Sequence, residues 1–196
     1  MTTFFLIRHG LNDSIGNWIA GRMAGVHLNP EGRAQADKLA DHLAHMPIAA
    51  VYTSPMERAR ETAEPIARKL GLVVQVCNGI NEIDCGIWTG KRFDELHDQV
   101  RWQRYNRLRS SSRIPNGELM LEAQTRAVLA LEDLCGRHPD QSIALVSHGD
   151  VIRAVIAYFA GIPLDLFTRI EISCASVSVI ELDGHDPRIL AINTQY

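Results

Sequence analysis

Apolar residues occur along the chain in short runs and in longer segments with helical spacing, and the two kinds of segment alternate. Short apolar runs bounded by turn residues predict buried strands. The predicted strands cover residues 4–7, 49–52, 73–76, 143–146, 175–182 and 189–192, with a turn over 184–187 between the last two.

The longer segments place apolar residues three and four positions apart, which is the spacing of one face of an α-helix. A first helix is predicted from Pro30 to about residue 44, because Asn29 is a good N-cap and proline suits the first helical position. A second begins at Ser54 and runs to Gly71, a residue that suits a helix end. Two more cover 118–137 and 151–159. Strands alternating with helices predict an α/β fold, a largely parallel sheet covered by helices on both faces.

The first and fourth predicted strands end in similar sequences. "FFLIRHG" over 4–10 and "IALVSHG" over 143–149 both run from apolar residues into a His-Gly pair. Ligands of open α/β sheets bind beyond the carboxyl ends of the strands, so Arg8, His9 and His148 are expected together there. Arg58, in the helix after the second strand, is expected at the same edge. One histidine would equally suit a structural role, but two His-Gly pairs with flanking arginines favour a functional site.

Two histidines and two arginines at one place suit phosphoryl transfer. The planar guanidiniums of Arg8 and Arg58 can neutralise phosphoryl oxygens in a fixed geometry. A neutral imidazole can attack phosphorus to form a phosphohistidine, while a second, protonated imidazole holds an oxygen. Gly10 and Gly149, which have no Cβ, would let the backbone and a phosphate approach closely.

Composition narrows the class of partner. The chain has 20 Lys and Arg against 23 Asp and Glu, a formal charge of −3, so no global positive field favours nucleic acid or an anionic membrane. Its four cysteines form no C-x-x-C pair, which argues against a zinc site or a disulfide framework and fits a reducing cytosol. The apolar start meets Arg8 too early for a signal peptide or a membrane span. We therefore expect a cytoplasmic protein with one domain, 1–196, and no nucleic-acid or membrane partner.

Five stretches, in order along the chain, resemble one family. They are "LIRHG" (6–10), "LNPEGRAQA" (28–36), "VYTSPMERARETA" (51–63), "NEIDCGIWTG" (81–90) and "VSHGDVIR" (146–153). By these motifs the chain is similar to branch 1 of the histidine phosphatase superfamily, which includes cofactor-dependent phosphoglycerate mutases and many phosphomonoesterases. The resemblance covers most of the chain and implies a three-layer, phosphoglycerate mutase-like fold.

The resemblance also implies roles for individual residues. His9 would be the nucleophile that becomes phosphorylated, and Glu82 would donate a proton to the leaving group. The implied phosphate-binding set is Arg8, Arg58, His148 and Gly149. Within the motifs, "SPMERA" selects Arg58 rather than Arg60, and "NEIDCG" selects Glu82 rather than Asp84.

The chain departs from the family after its first His-Gly pair. Many members have an acidic residue, Thr or Ser there, where this chain has Leu11 and Asn12. Members also carry an asparagine a few residues further on, and Asn17 is the best candidate for it. Arg22, within "AGRMAGVHLN" (20–29), is a second candidate for the substrate pocket.

The resemblance implies that residues 91–118 form a variable insertion that caps the site. Between positions 91 and 113 the basic residues are Lys91, Arg92, Arg101, Arg104, Arg107, Arg109 and Arg113, and the acidic ones are Asp94, Glu95 and Asp98. This excess fits an anionic or bulky phosphorylated substrate, and it equally fits a solvated helix face. Trp102 and Tyr105 lie among the arginines, but without an RNA-binding motif they do not favour nucleic acid.

The function that the sequence favours is a metal-independent phosphomonoesterase, without a cofactor, that acts through phosphohistidine on a small phosphorylated metabolite. A phosphoglycerate mutase would need a water-excluding lid with a carboxylate site, and the chain is short of such insertions. A non-catalytic phosphate-binding module is disfavoured by the complete set of site residues. A metallohydrolase lacks its H-E-x-x-H or Asp-rich spacing. The remaining histidines are interpreted as surface residues: His27, His42, His45, His97, His138 and His185. The oligomeric state, a homodimer included, stays open.

Overall fold

The structure is a computed structural model that describes residues 1–183 and 186–196. Its strands are β1 (Thr2–Arg8), β2 (Ile48–Thr53), β3 (Val74–Val76), β4 (Ser142–Ser147), β5 (Val177–Leu182) and β6 (Arg188–Thr194). Its helices are α1 (Pro30–Leu43), α2 (Glu57–Leu70), α3 (Phe93–Leu96), α4 (Val100–Arg107), α5 (Met120–Arg137) and α6 (Gly149–Phe159), with 3-10 turns at Asn78–Ile80, Gly86–Trp88 and Leu164–Arg169. Gly184 and His185, expected in a turn and on the surface, lie outside the described residues.

The strands form one six-stranded sheet in the order β3-β2-β4-β1-β5-β6. The first four strands in that order are mutually parallel, whereas β5 and β6 add antiparallel pairings at one side. The predicted α/β fold with a largely parallel sheet is therefore confirmed, and β1 and β4 lie side by side at its centre.

Helices cover both faces of the sheet because alternate strand residues point to opposite sides. Phe4 and Leu6 of β1 join Leu145 of β4 in a core that includes α5 and α6. Ile7 and Val146, on the other face, join a core that includes α1 and α2. The chain is thus a three-layer sandwich, with its two central strands buried on both sides.

Two helices begin at positions that differ from the prediction, and both differences involve the carboxyl edge of the sheet. Helix α2 begins at Glu57 rather than Ser54, because the Ser54 hydroxyl instead accepts a hydrogen bond from the backbone of Met56 and contacts His148. Helix α6 begins at Gly149, directly after His148. The N-cap of α1 is as predicted, since the Asn29 side chain accepts a hydrogen bond from the backbone N–H of Gly32.

Helices α3 and α4 lie in the segment for which the sequence pattern gave no periodic signal. They carry the aromatic side chains of Phe93, Trp102 and Tyr105 to the rim of the site described below. None of the helices in the described part of the chain combines the length and the apolar composition that crossing a bilayer requires.

Candidate active site

The two His-Gly pairs meet at the carboxyl edge of the sheet. Parallel pairing sets Arg8 opposite Ser147, so the next residue of each chain segment is a histidine at the same level. The ring centroids of His9 and His148 are 5.3 Å apart, and the two residues are 3% and 0% exposed. Strand register alone therefore brings together two residues that are far apart in sequence.

His9 has one ring nitrogen tied to the backbone and the other available. Its Nδ1 lies 2.8 Å from the carbonyl oxygen of Gly10, which fixes the tautomer with hydrogen on Nδ1 and a lone pair on Nε2. Burial lowers the pKa of His9 well below its usual value, and the positive charges of Arg58 and Arg8 lower it further. The imidazole is therefore neutral near pH 7, as a nucleophile must be.

Two guanidiniums beside His9 carry donors without acceptors. Arg8 Nη1 donates to the carbonyl oxygen of Ile172 at 2.6 Å, and Arg58 Nη2 donates to that of Gly21 at 2.9 Å. Arg8 Nε and Arg58 Nη1 are buried and have no partner among the described residues. Buried donors are nearly always satisfied, so the pair favours an anion at this point.

His148 lies behind the cavity lining, against Ser54 and Glu82. Its Nε2 is 2.7 Å from Ser54 Oγ, while its Nδ1 is 3.3 Å from Arg58 Nη2 and 3.3 Å from Glu82 Oε2. Burial, followed by the charge of Arg58, lowers the pKa of His148. The surroundings of His148 thus favour its neutral form, whereas a phosphoryl anion beside the ring would favour the protonated form that the sequence analysis expects.

Glu82 is the carboxyl group that lies within reach of the positive charges of Arg58 and Arg8. Its Oε2 lies 3.5 Å from Arg58 Nη2, and desolvation raises its pKa although Arg58 opposes the shift. Asp84 turns elsewhere, since its Oδ1 accepts from the backbone N–H of Gly86. The structure thus brings Glu82, rather than Asp84, to the site.

Gly149 and Gly10 are expected to let a phosphate approach the backbone closely, and the packing around each of them also leaves little room for a side chain. A Cβ on Gly149 would lie 3.2 Å from the Arg8 guanidinium carbon, so this position lets Arg8 lie across the start of α6. A Cβ on Gly10 would meet the carbonyl oxygen of Gly32 at 2.6 Å, because the loop after β1 packs directly on the start of α1. Gly10 therefore also has a packing role in this loop.

The two pocket candidates near residue 20 do not line the cavity. Asn17 is exposed, and its Nδ2 donates back to the carbonyl oxygen of Asp13. Arg22 donates to the carbonyl oxygen of Glu82 at 2.8 Å and pairs with Glu118 at 3.0 Å, so it supports the Glu82 segment from behind.

Asn12 is the site residue that the sequence analysis did not select. It is 2% exposed, and its Nδ2 lies 3.5 Å from His9 Nδ1. Its Oδ1 accepts hydrogen bonds from the backbone and the hydroxyl of Ser14, which orients the amide nitrogen toward His9. The sequence did contain a clue to Asn12, namely its position two residues after Gly10, in the stretch where many family members have an acidic residue, Thr or Ser.

A cavity of about 350 Å³ opens above these groups. Its lining includes Arg8, His9, Arg58 and Glu82, and its outer wall is largely apolar and aromatic. Of the seven basic residues between positions 91 and 113, only Arg109 belongs to the lining. Of the two interpretations of this basic segment, the lining favours the solvated helix face, since the other six basic residues are not part of it.

A larger cavity, of about 710 Å³, lies at the opposite end of β1 beside Met1 and Thr2. Among the described residues that line it there is no arginine, lysine or histidine, so these residues supply none of the groups that phosphate chemistry needs. Within residues 1–183 and 186–196, no group of three or more His, Cys, Asp or Glu side chains is arranged to hold a metal ion.

Comparison with known proteins agrees with this geometry. The family model of the histidine phosphatase superfamily (branch 1) matches residues 4–195. Phosphoserine phosphatase 1 of Hydrogenobacter thermophilus is 30% identical over 198 residues, which cover 98% of this chain and 92% of that protein. A probable phosphoglycerate mutase GpmB of an Enterobacter species is 28% identical over 188 residues, 92% of this chain and 85% of its own.

Among solved structures, Bacillus stearothermophilus YhfR superposes with a TM-score of 0.91 at 28% identity, covering 97% of this chain and 96% of its own. The family match spans nearly the whole length, and the five motifs that suggested it converge on one edge of the sheet. The chain belongs to branch 1 of the histidine phosphatase superfamily.

Proposed function

We propose that this protein is a phosphomonoesterase that hydrolyses small phosphate esters through a phosphohistidine on His9, without a metal ion. The observation that carries the proposal is a neutral, buried His9 next to two guanidiniums with unpartnered donors, Arg8 Nε and Arg58 Nη1. A phosphoryl group in that position satisfies both donors and presents phosphorus to Nε2 of His9.

In the first step, Nε2 of His9 attacks phosphorus in line with the ester oxygen. The N–P bond forms as the P–O bond breaks, and the bonding electrons leave with the alcohol oxygen, which takes a proton from Glu82. Arg8 and Arg58 neutralise the equatorial oxygens throughout, which is the main electrostatic requirement of phosphoryl transfer.

In the second step, the ionised Glu82 removes a proton from water as the water attacks phosphorus. The N–P bond breaks, its electrons return to Nε2, and inorganic phosphate leaves with His9 regenerated. His148 and Ser54 hold the far side of Arg58 and Glu82 in place, since His148 lies 3.3 Å from an atom of each.

Hydrolysis is favoured over mutase activity by the charges of the cavity. A phosphoglycerate carboxylate needs a free cation beyond the phosphate site, and the two other arginines of the lining, Arg109 and Arg153, are already paired with Asp150. An assay for phosphoglycerate isomerisation, run beside phosphate release, separates the two activities.

We also infer that residues 1–196 form one domain in which 91–118 act as the cap of the cavity. Support comes from Trp102, Tyr105 and Arg109, which line the cavity from that segment. Deleting the segment should therefore impair substrate affinity more than it impairs the phosphoryl-transfer chemistry.

The function is tested with His9→Ala, with His45→Ala as an exposed histidine control. Wild-type protein quenched during turnover should carry an acid-labile, base-stable phosphoryl group, which His9→Ala should lack together with activity. Chelators should leave the wild-type rate unchanged. Label retained by the mutant, or activity abolished by EDTA and restored by a divalent metal, would overturn the proposal.

A further inference from the structure

We propose that the alcohol portion of the substrate is apolar, and preferably aromatic, rather than a small alcohol bearing a carboxylate. This inference rests on the proposed function and concerns the part of the same cavity that lies beyond the phosphate-binding groups. Three features carry it: the aromatic wall, the pairing of its charges and the cavity size.

The wall is an aromatic cluster contributed by the segment after residue 85. Trp88 and Tyr105 are each 3% exposed, and their ring centroids are 5.2 Å apart. Trp102 packs edge-on against Trp88 at 5.2 Å and lies 6.2 Å from Phe93, which is 39% exposed. The buried pair fixes the base of the wall, and Trp102 and Phe93 leave ring surface open to a ligand.

Such a wall favours substrates with an apolar alcohol group over substrates with a polar one. A flat apolar group laid on Trp102 removes ring surface from water on both partners and adds an aromatic contact. A polar alcohol in the same position loses water without gaining hydrogen bonds in return.

The two arginines of the wall already have carboxylate partners, and they share Asp150. Arg109 Nη1 lies 3.2 Å from Asp150 Oδ2, and its Nη2 donates to Asn106 at 2.6 Å. Arg153 Nη1 lies 2.8 Å from Asp150 Oδ1, and its Nη2 is 3.5 Å from Glu171. A substrate carboxylate would therefore meet the Asp150 carboxylate instead of a free cation.

Arg109 is further occupied by stacking. Its guanidinium carbon lies 4.2 Å from the centroid of the Tyr105 ring and 5.4 Å from that of Phe167. Its Nε is buried and has no hydrogen-bond partner among the described residues. Arg109 thus forms part of the wall and braces Tyr105.

The cavity size favours a small substrate. A volume of about 350 Å³ lies at the low end of the range for small-molecule sites, which begins at roughly 300 Å³. One phosphate with a single ring on a short linker suits it, whereas a phosphoprotein segment does not.

The test compares esters of primary alcohols, so that the difficulty of breaking the P–O bond is similar throughout. The substrates are 2-phenylethyl phosphate, propyl phosphate and O-phosphoserine. We expect kcat/KM for the phenylethyl ester to exceed the other two by at least about tenfold, mainly through a lower KM. Equal values, or a preference for phosphoserine, would overturn the inference while phosphatase activity itself stands.

Variants identify the surface that is responsible. Trp102→Ala should bring the phenylethyl-to-propyl ratio down to near unity, whereas Val100→Ala, at an exposed position of the same helix, should keep the wild-type ratio. Phe93→Leu, on the open rim, serves as the second variant if Trp102→Ala does not fold. An unchanged ratio in a folded wall variant would contradict the proposed surface.

Binding supplies a readout that does not depend on turnover. Calorimetric titration of His9→Ala protein with the same three esters should give the same order of affinity. If phenylethyl phosphate binds most tightly but wild-type protein releases no phosphate, the proposed function fails and the substrate-class inference stands.

Discussion

Two side chains of the site have opposite protonation requirements. His9 must be neutral to attack phosphorus, and burial with two nearby guanidiniums lowers its pKa. Glu82 must be protonated to assist the leaving group, and desolvation raises its pKa. Activity is therefore lost as pH falls through the pKa of His9 and as pH rises through that of Glu82, which predicts a bell-shaped profile with an optimum on the acidic side.

Replacing Glu82 distinguishes a role in proton donation from a role in substrate binding. Glu82→Gln should slow hydrolysis of alkyl phosphates by roughly 10²–10⁴-fold, the usual contribution of general acid catalysis, and remove the alkaline limb of the pH profile. Nitrophenyl phosphate should lose much less, because nitrophenolate leaves without a proton. Steady-state rates on both esters test this. An equal loss on both would show that Glu82 does not donate the proton, and Asp84 would be the next residue to test.

Asn12 is expected to orient His9. Asn12→Ala removes a packing contact at 3.5 Å from the imidazole and the hydrogen bonds that Asn12 Oδ1 accepts from Ser14, so the loop beside His9 is held less firmly. The loss of one such buried hydrogen bond corresponds to roughly a tenfold fall in kcat. Asn17→Ala, at the exposed asparagine, is the matched control and should retain wild-type kcat. Equal effects of the two changes would show that Asn12 has no special part in the reaction.

At the scale of elements, the contact between α1 and the loop after β1 fixes the position of the nucleophile. A Cβ on Gly32 would lie 1.9 Å from the carbonyl oxygen of Leu11, so the backbones touch with no room for a side chain. The "LNPEGRAQA" motif thus has a structural explanation: Asn29 caps the helix, and Gly32 lets its first turn rest on the loop that carries His9.

Gly32→Ala should therefore separate these backbones. We expect overpacking to lower the free energy of unfolding by about 1–3 kcal/mol and the displaced loop to lower kcat. Gly136→Ala is the control, because a Cβ there meets nothing within 4 Å and alanine favours an exposed helix by up to about 1 kcal/mol. Thermal melts with kcat measurements distinguish the two, and a neutral Gly32→Ala would contradict the proposed contact.

The sequence pattern predicted the elements that carry periodic apolar residues and located Arg8, His9 and Glu82 through motifs at the sheet edge. It misplaced the starts of α2 and α6. Ser54 and His148, which lie just before these helices, hydrogen-bond to each other, and the local sequence does not reveal this long-range contact. Helices α3 and α4 were missed for another reason. Their sequence is polar, and tertiary contacts such as those among Trp88, Trp102 and Tyr105 hold it in place.

For the whole molecule, the two buried histidines couple folding to pH. The pKa values of His9 and His148 are lowered in the folded state, so the unfolded chain binds more protons below about pH 6.5. Stability should then fall on acidification from pH 7 to 5, by up to about 1.4 kcal/mol per pH unit for each histidine. Glu82 acts in the opposite sense, because its raised pKa lets the folded state hold a proton longer.

Urea unfolding at several pH values tests this coupling. His9→Asn should flatten the dependence by the contribution of one histidine, whereas His45→Asn, at an exposed position, should reproduce the wild-type slope. Identical slopes for wild type and His9→Asn would show that His9 does not resist protonation in the folded protein.

The central place of β1 also affects how the protein is made. Its two neighbours in the sheet are β4, which begins only at Ser142, and β5, which begins at Val177. At typical translation rates the ribosome takes on the order of ten seconds to reach them after completing β1. During that interval "TTFFLIR" has both edges unpaired and is prone to associate with other nascent chains. The newborn protein is thus expected to depend on chaperones, and it can acquire phosphohistidine chemistry only after β4 and His148 have been synthesised.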